Sequence, residues 1–168
     1  MNVDQSILRE LCRGGANALD IGKAAEHLVC ADLMLGGYRC YLSDQGLAYD
    51  LVVDVAGRLV RVQVKSTCFP SNMNARGRTV RTGYTFHVRK RGKNARGIRL
   101  SSNHCDVVAL VALDIQAIAY LPIQEVGQCC QLMPPGHDFI GNYKRTRGQS
   151  ITGFPFAEAL KRLGGADA

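Results

Sequence analysis

The sequence predicts an α/β fold in which a mixed β-sheet of four to five strands is flanked by helices. Three observations support this prediction. Residues 21–35 have the apolar periodicity of a helix. Residues 49–54 and 59–65 are apolar, β-branched runs that flank a short turn, as in a β-hairpin. Residues 106–113 are almost continuously apolar, which is typical of a central strand covered on both faces.

The remaining elements are predicted from the same periodicities and from glycine and proline positions. In chain order they are a short helix over 4–13, the helix over 21–35, a strand over 38–42, the hairpin, strands over 84–88, 106–113 and 117–121, a helical turn over 122–126 and a terminal helix over 155–163. The stretches without regular periodicity are predicted to be loops, namely 66–83, 89–97 and 127–150.

Apolar spacing also predicts which face of the long helix is buried. The residues expected to face the core are Ile21, Ala24, Leu28, Ala31 and Leu35. Glu26 lies off that stripe, on a face whose other residues are mostly small or apolar, so partial burial is expected. Gly22 lies one turn earlier and leaves space beside this carboxylate. A glycine inside a helix costs about 1 kcal/mol relative to alanine, which indicates a packing or functional reason for it.

The composition is that of an ordinary globular protein, with 46% hydrophobic and 21% charged residues in 168. It predicts a single domain over 1–168, with a core at about 20–126 and a basic C-terminal extension over 127–168. The N-terminus is polar, and the longest apolar run is too short to cross a bilayer. We therefore expect a cytoplasmic protein.

The seven cysteines contain no Cys-x-x-Cys motif, and Cys129 and Cys130 are adjacent. They are expected to be reduced thiols, several of them in the core. A metal site is the alternative, but its spacing fits no known zinc pattern. Its members would be His104, Cys105, Cys129, Cys130 and His137.

The net charge of +7 is unevenly distributed along the chain. The first 54 residues carry four basic and eight acidic side chains. Between Asp54 and Asp106 there are twelve Lys and Arg residues and no acid. Such a segregated basic segment indicates a protein that binds a phosphate backbone. The alternative is a solvated basic surface without a partner.

Three polar residues interrupt the apolar hairpin. Asp50 begins the first strand, and Gln63 and Lys65 end the second. In an antiparallel hairpin these positions are neighbours, and side chains two residues apart on a strand share a face. A carboxylate, an amide oxygen and an ammonium at one end of a sheet therefore indicate a functional site.

The chain has, in order, a helix that carries Glu26, a strand, a hairpin that carries Asp50, Gln63 and Lys65, and a basic loop. This order resembles that of the PD-(D/E)XK nuclease superfamily. The closest likeness is to group I intron-type homing endonucleases and to archaeal Holliday-junction-resolvase-like nucleases. The likeness covers residues 20–126 and implies a restriction-endonuclease-like core. The segments that carry it are Gly22-Lys23-Ala24-Ala25-Glu26, Tyr49-Asp50, Gln63-Val64-Lys65-Ser66-Thr67, Tyr84-Thr85-Phe86, 106–110 and 119–123.

The resemblance implies a DNA endonuclease that uses Mg²⁺, or Mn²⁺ in its place. It implies Asp50 as a direct metal ligand, with the Gln63 side-chain oxygen and the Val64 carbonyl as further ligands. It implies that Lys65 orients the attacking water or stabilises the developing charge. Glu26 would act from the helix, directly or through a metal-bound water. Gln63 departs from the commoner acid at its position and should weaken metal binding unless Glu26 compensates.

The basic loops are expected to hold DNA, duplex or branched, and cleavage of both strands implies a homodimer or homotetramer. The candidate contacts are Ser66, Thr67, Arg76, Arg78, Arg81, Arg89, Lys90, Arg91, Lys93 and Arg96. One alternative is a catalytically inactive nucleic-acid-binding module on the same fold. Another is an assembly or structural protein of a mobile element, which would not bind duplex DNA.

Overall fold

The computed structural model describes residues 4–13, 18–44, 46–73, 81–90, 97–136 and 149–164. Within these ranges the chain forms three α-helices, ten strands and two short 3-10 turns. The helices are α1 (Gln5–Arg13), α2 (Ala18–Leu35) and α3 (Phe156–Gly164). The strands are β1 (Arg39–Leu42), β2 (Leu51–Val55), β3 (Arg58–Thr67), β4 (Ser71–Met73), β5 (Arg81–His87), β6 (Arg89–Lys90), β7 (Ile98–Arg99), β8 (Val107–Ala112), β9 (Ala117–Pro122) and β10 (Cys129–Leu132).

A five-stranded mixed sheet in the order β1-β2-β3-β8-β9 forms the centre of the fold. β3 and β8 are parallel, and the other neighbouring strands are antiparallel. All six residues of β8 are buried, as expected of a central strand. The predicted fold class, an α/β protein with a restriction-endonuclease-like core, is therefore confirmed.

The two faces of this sheet bury two separate cores. On one face, Val62 and Val64 pack with Val29 and Leu33 of α2 and with residues of α1 and α3. On the other face, β8 and β9 pack against a three-stranded sheet of order β10-β5-β4 and not against helices. Since side chains alternate along a strand, Gln63 and Lys65 lie on this second face.

The predicted buried stripe of α2 is only partly correct, because Ile21 and Leu28 pack against the core while Ala24, Ala31 and Leu35 are exposed. The buried residues of the helix are Ala25, Val29 and Leu33, while Leu35 is 90% exposed. Apolar residues occur around most of this helix, so periodicity alone does not decide which side packs on the sheet. The core-facing side is the one that also carries Glu26, which therefore points toward the sheet.

Three of the predicted loops contain short strands. β3 continues to Thr67, β4 lies within 66–83, β6 lies within 89–97, and β10 lies within 127–150. β10 pairs with β5 along its four residues. Such short strands are stabilised by their partners and not by their own sequence, so their periodicity carries little signal.

A disulfide joins Cys12 of α1 to Cys68, which follows β3, so the expectation of reduced thiols is wrong for these two residues. The guanidinium of Arg9 stacks 4.9 Å from the ring centroid of Phe69, which holds α1 against this end of the sheet. The other five cysteines form no disulfide, and Cys105 and Cys130 are the buried ones. No described helix is long and apolar enough to cross a membrane.

Candidate active site

The candidate site lies where β3 extends past the end of its neighbour β2. Leu51, the first residue of β2, pairs with Val62 of β3, and the N–H of Asp50 donates to the Val62 carbonyl at 2.9 Å. Residues 63–67 of β3 then pair with β8 on one side, and on the other side they pair with no strand of the described residues. The unequal strand lengths leave a notch, and Asp50 lies at its start.

Asp50 is held in the notch by the strand opposite. Its Oδ2 accepts hydrogen bonds from the Gln63 side-chain amide and, at 2.7 Å, from the Val64 backbone N–H. Its Oδ1 accepts no hydrogen bond from any described residue. The carboxylate therefore accepts the Val64 hydrogen bond that a longer β2 would accept, and its Oδ1 is left for a ligand or water.

Gln63 is buried, with 8% exposure, and no other charged, amide, serine or threonine side chain is as buried among the described residues. Its Nε2 also donates to the Val64 carbonyl at 3.2 Å. Its side-chain oxygen accepts no hydrogen bond within the described part of the chain. The amide thus presents its donor to Asp50 and leaves its acceptor unused.

Lys65 shares the face of Gln63, and its ammonium forms no hydrogen bond or ion pair with a described residue. Burial lowers the pKa of Lys65, while Asp50, Cys105 and Glu26 oppose that shift. Burial raises the pKa of Asp50, and the charge of Glu26 adds to that effect. The Val64 N–H, Lys65 and, more weakly, Lys23 act in the opposite direction.

Glu26 reaches the site from α2. Its Oε2 lies 2.6 Å from the ammonium of Lys23, and its side chain is 13% exposed. The charges of both residues act on Asp50. The structure therefore brings Glu26, Asp50, Gln63 and Lys65 to one end of the sheet, whereas their catalytic and metal-binding roles stay predictions.

Two further titratable residues lie in this region, and the sequence placed neither of them at the Asp50 site. Lys23 precedes Glu26 by three positions on α2, and that spacing on a helix was the available signal. Cys105 is fully buried, and burial raises the pKa of its thiol to about 12. Its electrostatic interactions include Lys65 and Asp50, so it lies near both. No local pattern predicted that position.

Arg61, one of the twelve basic residues in the acid-free segment, has a structural partner. Its guanidinium contacts both carboxylate oxygens of Asp106 and donates to the carbonyls of Ser102 and Asn103. The Arg61 N–H also donates to Asp106 at 2.8 Å. Arg61 therefore fixes the segment before β8.

The predicted DNA contacts fall into three groups. Ser66 lies on the helix-facing side of β3, opposite to Lys65, while Thr67 shares the face of Lys65 and its hydroxyl donates to the Phe69 carbonyl at 3.3 Å. Arg89 is exposed and donates to the Gln128 side chain at 2.9 Å. The side chains of Arg81 and Lys90, and the whole of Arg76, Arg78, Arg91, Lys93 and Arg96, lie outside the described residues.

The donor set of the notch fits a hard divalent cation. Asp50 and Glu26 supply carboxylate oxygens, Gln63 an amide oxygen and Val64 a carbonyl, which are the ligand types that Mg²⁺ and Mn²⁺ prefer. No group of three or more His, Cys, Asp or Glu that could hold a metal occurs in the described ranges. The amide oxygen of Gln63 and the carbonyl of Val64 would therefore have to complete the ligand set of the two acids. The Cys and His alternative includes His137, which lies outside the described residues.

The family model described as PD-(D/E)XK endonuclease matches residues 16–133. No curated protein matches the sequence. A bacterial homing endonuclease, I-Ssp6803I, matches the structure with a TM-score of 0.58 and 22% identity, over 87% of this chain and 93% of that one. At this identity the structural match establishes the fold alone.

Proposed function

The chain belongs to the PD-(D/E)XK endonuclease family, and from that membership we propose that it hydrolyses phosphodiester bonds in DNA with the help of Mg²⁺ or Mn²⁺. The observation that supports this most directly is the notch beside β3. There, Asp50 Oδ1, the Gln63 side-chain oxygen and the Lys65 ammonium are all without a partner among the described residues.

Asp50, Gln63, the Val64 carbonyl and Glu26 would hold the cation. When bound, the cation would supply charge neutralisation at the phosphate and a lowered pKa for a water ligand. The Gln63 nitrogen donates to Asp50 Oδ2, so Asp50 Oδ1 and the Gln63 oxygen are the side-chain atoms left for the cation.

Lys65 would act on the substrate. Lys65 is half-buried and its ammonium has no ion-pair partner in the described ranges, so a phosphate oxygen or the attacking water can accept its hydrogen bonds. Burial lowers the pKa of Lys65, yet the neighbouring acids oppose the shift and favour the charged form. A positive charge held in place before the substrate arrives stabilises the transition state without reorganisation.

Plasmid nicking with Mg²⁺ tests the proposal. Wild type should convert supercoiled DNA to nicked and linear forms, while Asp50→Asn and Lys65→Met should cut at least about 100-fold more slowly. Lys161→Met, which changes an exposed lysine of α3, is the control and should cut like wild type. Equal cutting by the Asp50 and Lys65 variants would refute the assignment of the site.

A catalytically inactive nucleic-acid-binding module is the second candidate. The observation that favours it is the Gln63 amide nitrogen, which faces Asp50 where a metal ligand would need an oxygen. This candidate predicts salt-sensitive DNA or RNA binding with no calorimetric Mn²⁺ signal and no cleavage. A measurable heat of Mn²⁺ binding that Asp50→Asn abolishes would exclude it.

We also propose a homodimer or homotetramer, because one such site cuts one strand and double-strand cleavage needs two. Sedimentation of the protein alone and with duplex DNA would test this. The cytoplasmic location and the single-domain organisation stay predictions from the sequence.

A further inference from the structure

Lys23 is a second cation of the candidate site. Its ammonium lies 2.6 Å from Glu26 Oε2, and its charge also acts on Asp50. The Lys23 side chain is 38% exposed, while that of Glu26 is 13% exposed. The lysine therefore reaches from the solvent side to the more buried acid.

The charges of the site balance without a metal. Glu26 and Asp50 contribute two negative charges, and Lys23 and Lys65 contribute two positive charges. Two carboxylates held close to each other repel, and an adjacent ammonium offsets that repulsion. A divalent cation that enters this balanced site would meet Lys23 as a competitor for Glu26.

Lys23 has room to leave Glu26. The Lys23 side chain is partly exposed and has a long flexible stem with a strongly hydrated ammonium, so the ammonium can change its partner. The neighbouring Gly22 would have no heavy atom within 4 Å of an added Cβ, so the space beside this turn of α2 is open. A small movement would direct the ammonium toward a phosphate in the notch.

We propose that Lys23 is an exchangeable counter-cation that pairs with Glu26 in the metal-free protein and moves to a DNA phosphate when a divalent cation binds. The proposal rests on the proposed function, because it requires a metal at the Glu26–Asp50 acids. This exchange makes metal binding weak in the free protein and stronger in the DNA complex, because the displaced Lys23 ammonium then pairs with a DNA phosphate.

Lys23→Met tests this with two readouts of opposite sign. Calorimetric Mn²⁺ binding to the DNA-free variant should be about two- to five-fold tighter than to wild type, because the competing ion pair is gone. Binding to a short duplex in Ca²⁺ should weaken, and its slope against log salt should fall by about 0.9, the value for one phosphate contact. In EDTA the slopes of variant and wild type should agree.

Two controls separate this role from a structural one. Lys23→Arg keeps the charge and should leave both readouts near wild type. In α3, Lys161 forms a similar ion pair with Glu158, three residues earlier, at 2.6 Å. Lys161→Met removes that pair and should change neither Mn²⁺ binding nor the salt slope. Thermal melting would confirm that every variant folds, and Lys23→Gln would replace the Met variant if that one did not.

The outcomes are distinct. Tighter Mn²⁺ binding together with a lower salt slope in Ca²⁺ supports the exchange. Unchanged or weaker Mn²⁺ binding by Lys23→Met, or an unchanged slope, overturns it while the wild type still binds metal and cuts DNA. A wild type that shows neither Mn²⁺ binding nor cleavage overturns the proposed function, and the exchange with it.

Discussion

The backbone N–H of Val64 donates to Asp50 Oδ2 at 2.7 Å, across the point where β2 has ended and β3 continues. The Asp50 carboxylate accepts the backbone hydrogen bond that a neighbouring strand would accept if β2 were longer. The same backbone position that orients Asp50 also carries the Val64 carbonyl and lies between Gln63 and Lys65. The geometry of the candidate site is thus fixed by strand length and not by a flexible loop.

Asp50→Asn should lower the cleavage activity and raise the stability of the fold. Burial raises the pKa of Asp50, so its ionised form disfavours the folded state. For a carboxyl whose pKa is raised on folding, the favourable contribution is present below the unfolded value of about 3.9 and is lost as pH rises through the folded value. The asparagine variant should therefore melt at a higher temperature than wild type at pH 7, and the gain should shrink toward pH 4.

The matched control is Asp54→Asn at the other end of the hairpin. Asp54 also accepts a backbone hydrogen bond, from Gly57 at 2.8 Å, but it lies near the turn end of β2, where it pairs with Leu59, far along the strand from Lys65. This variant should keep Mn²⁺ binding, which Asp50→Asn should abolish. A lower melting temperature for Asp50→Asn than for wild type at pH 7 would contradict the burial argument.

Gln63→Glu tests whether position 63 contacts the metal. The new carboxylate would lie against Asp50, so the metal-free protein should lose stability as the pH rises through the range where both acids ionise. Mn²⁺ binding should be about tenfold tighter, because an opposite charge replaces an amide dipole. Weaker Mn²⁺ binding in calorimetry would place the cation elsewhere. Gln63→Leu, which lacks a ligand atom, should bind Mn²⁺ more weakly than wild type.

The sequence was sufficient to predict the hairpin and the contact between Asp50 and Gln63. A short turn sets the register of an antiparallel pair, so the positions that face each other follow from counting. The buried face of α2 followed only in part from periodicity, since apolar residues surround most of the helix. Which side packs is decided by the sheet, and that choice brings Glu26 into the site.

Contacts between distant segments were not predictable from one sequence. Cys12 and Cys68 are 56 residues apart, and no spacing rule relates them. Arg61 could be counted as a DNA-binding residue from charge alone, because its partner Asp106 lies 45 positions later. Local patterns describe elements, whereas these pairs depend on how the elements pack.

Arg61→Met should lower stability. The Arg61 contacts offset the effect of burial and hold the pKa of Asp106 below its usual value. Loss of charged hydrogen bonds costs about 1.5–3 kcal/mol of unfolding free energy. For a lowered carboxyl pKa this stability is present above about pH 3.9 and is lost as pH falls through the folded value. Denaturant unfolding at pH 7 and at low pH should therefore show a difference from wild type that decreases on acidification.

An exposed arginine of the same basic segment provides the control. Arg99→Met changes a residue on β7 that is exposed, so its unfolding free energy should stay within about 0.5 kcal/mol of wild type. If Arg61→Met were as stable as Arg99→Met, the pair with Asp106 would contribute no net stability.

Cys12→Ser should destabilise the protein only under oxidising conditions. The disulfide closes a loop with a sequence separation of 56, for which the chain-entropy relation gives about 4 kcal/mol of unfolding free energy, and measured values commonly reach about 2–4. In the absence of reductant the variant should unfold at lower denaturant than wild type, and with dithiothreitol the two should nearly coincide. Cys129→Ser, at an exposed free thiol, should match wild type in both conditions. Mass spectrometry after thiol alkylation of the unreduced protein should count five free cysteines, and a count of seven would show that α1 is held by packing alone.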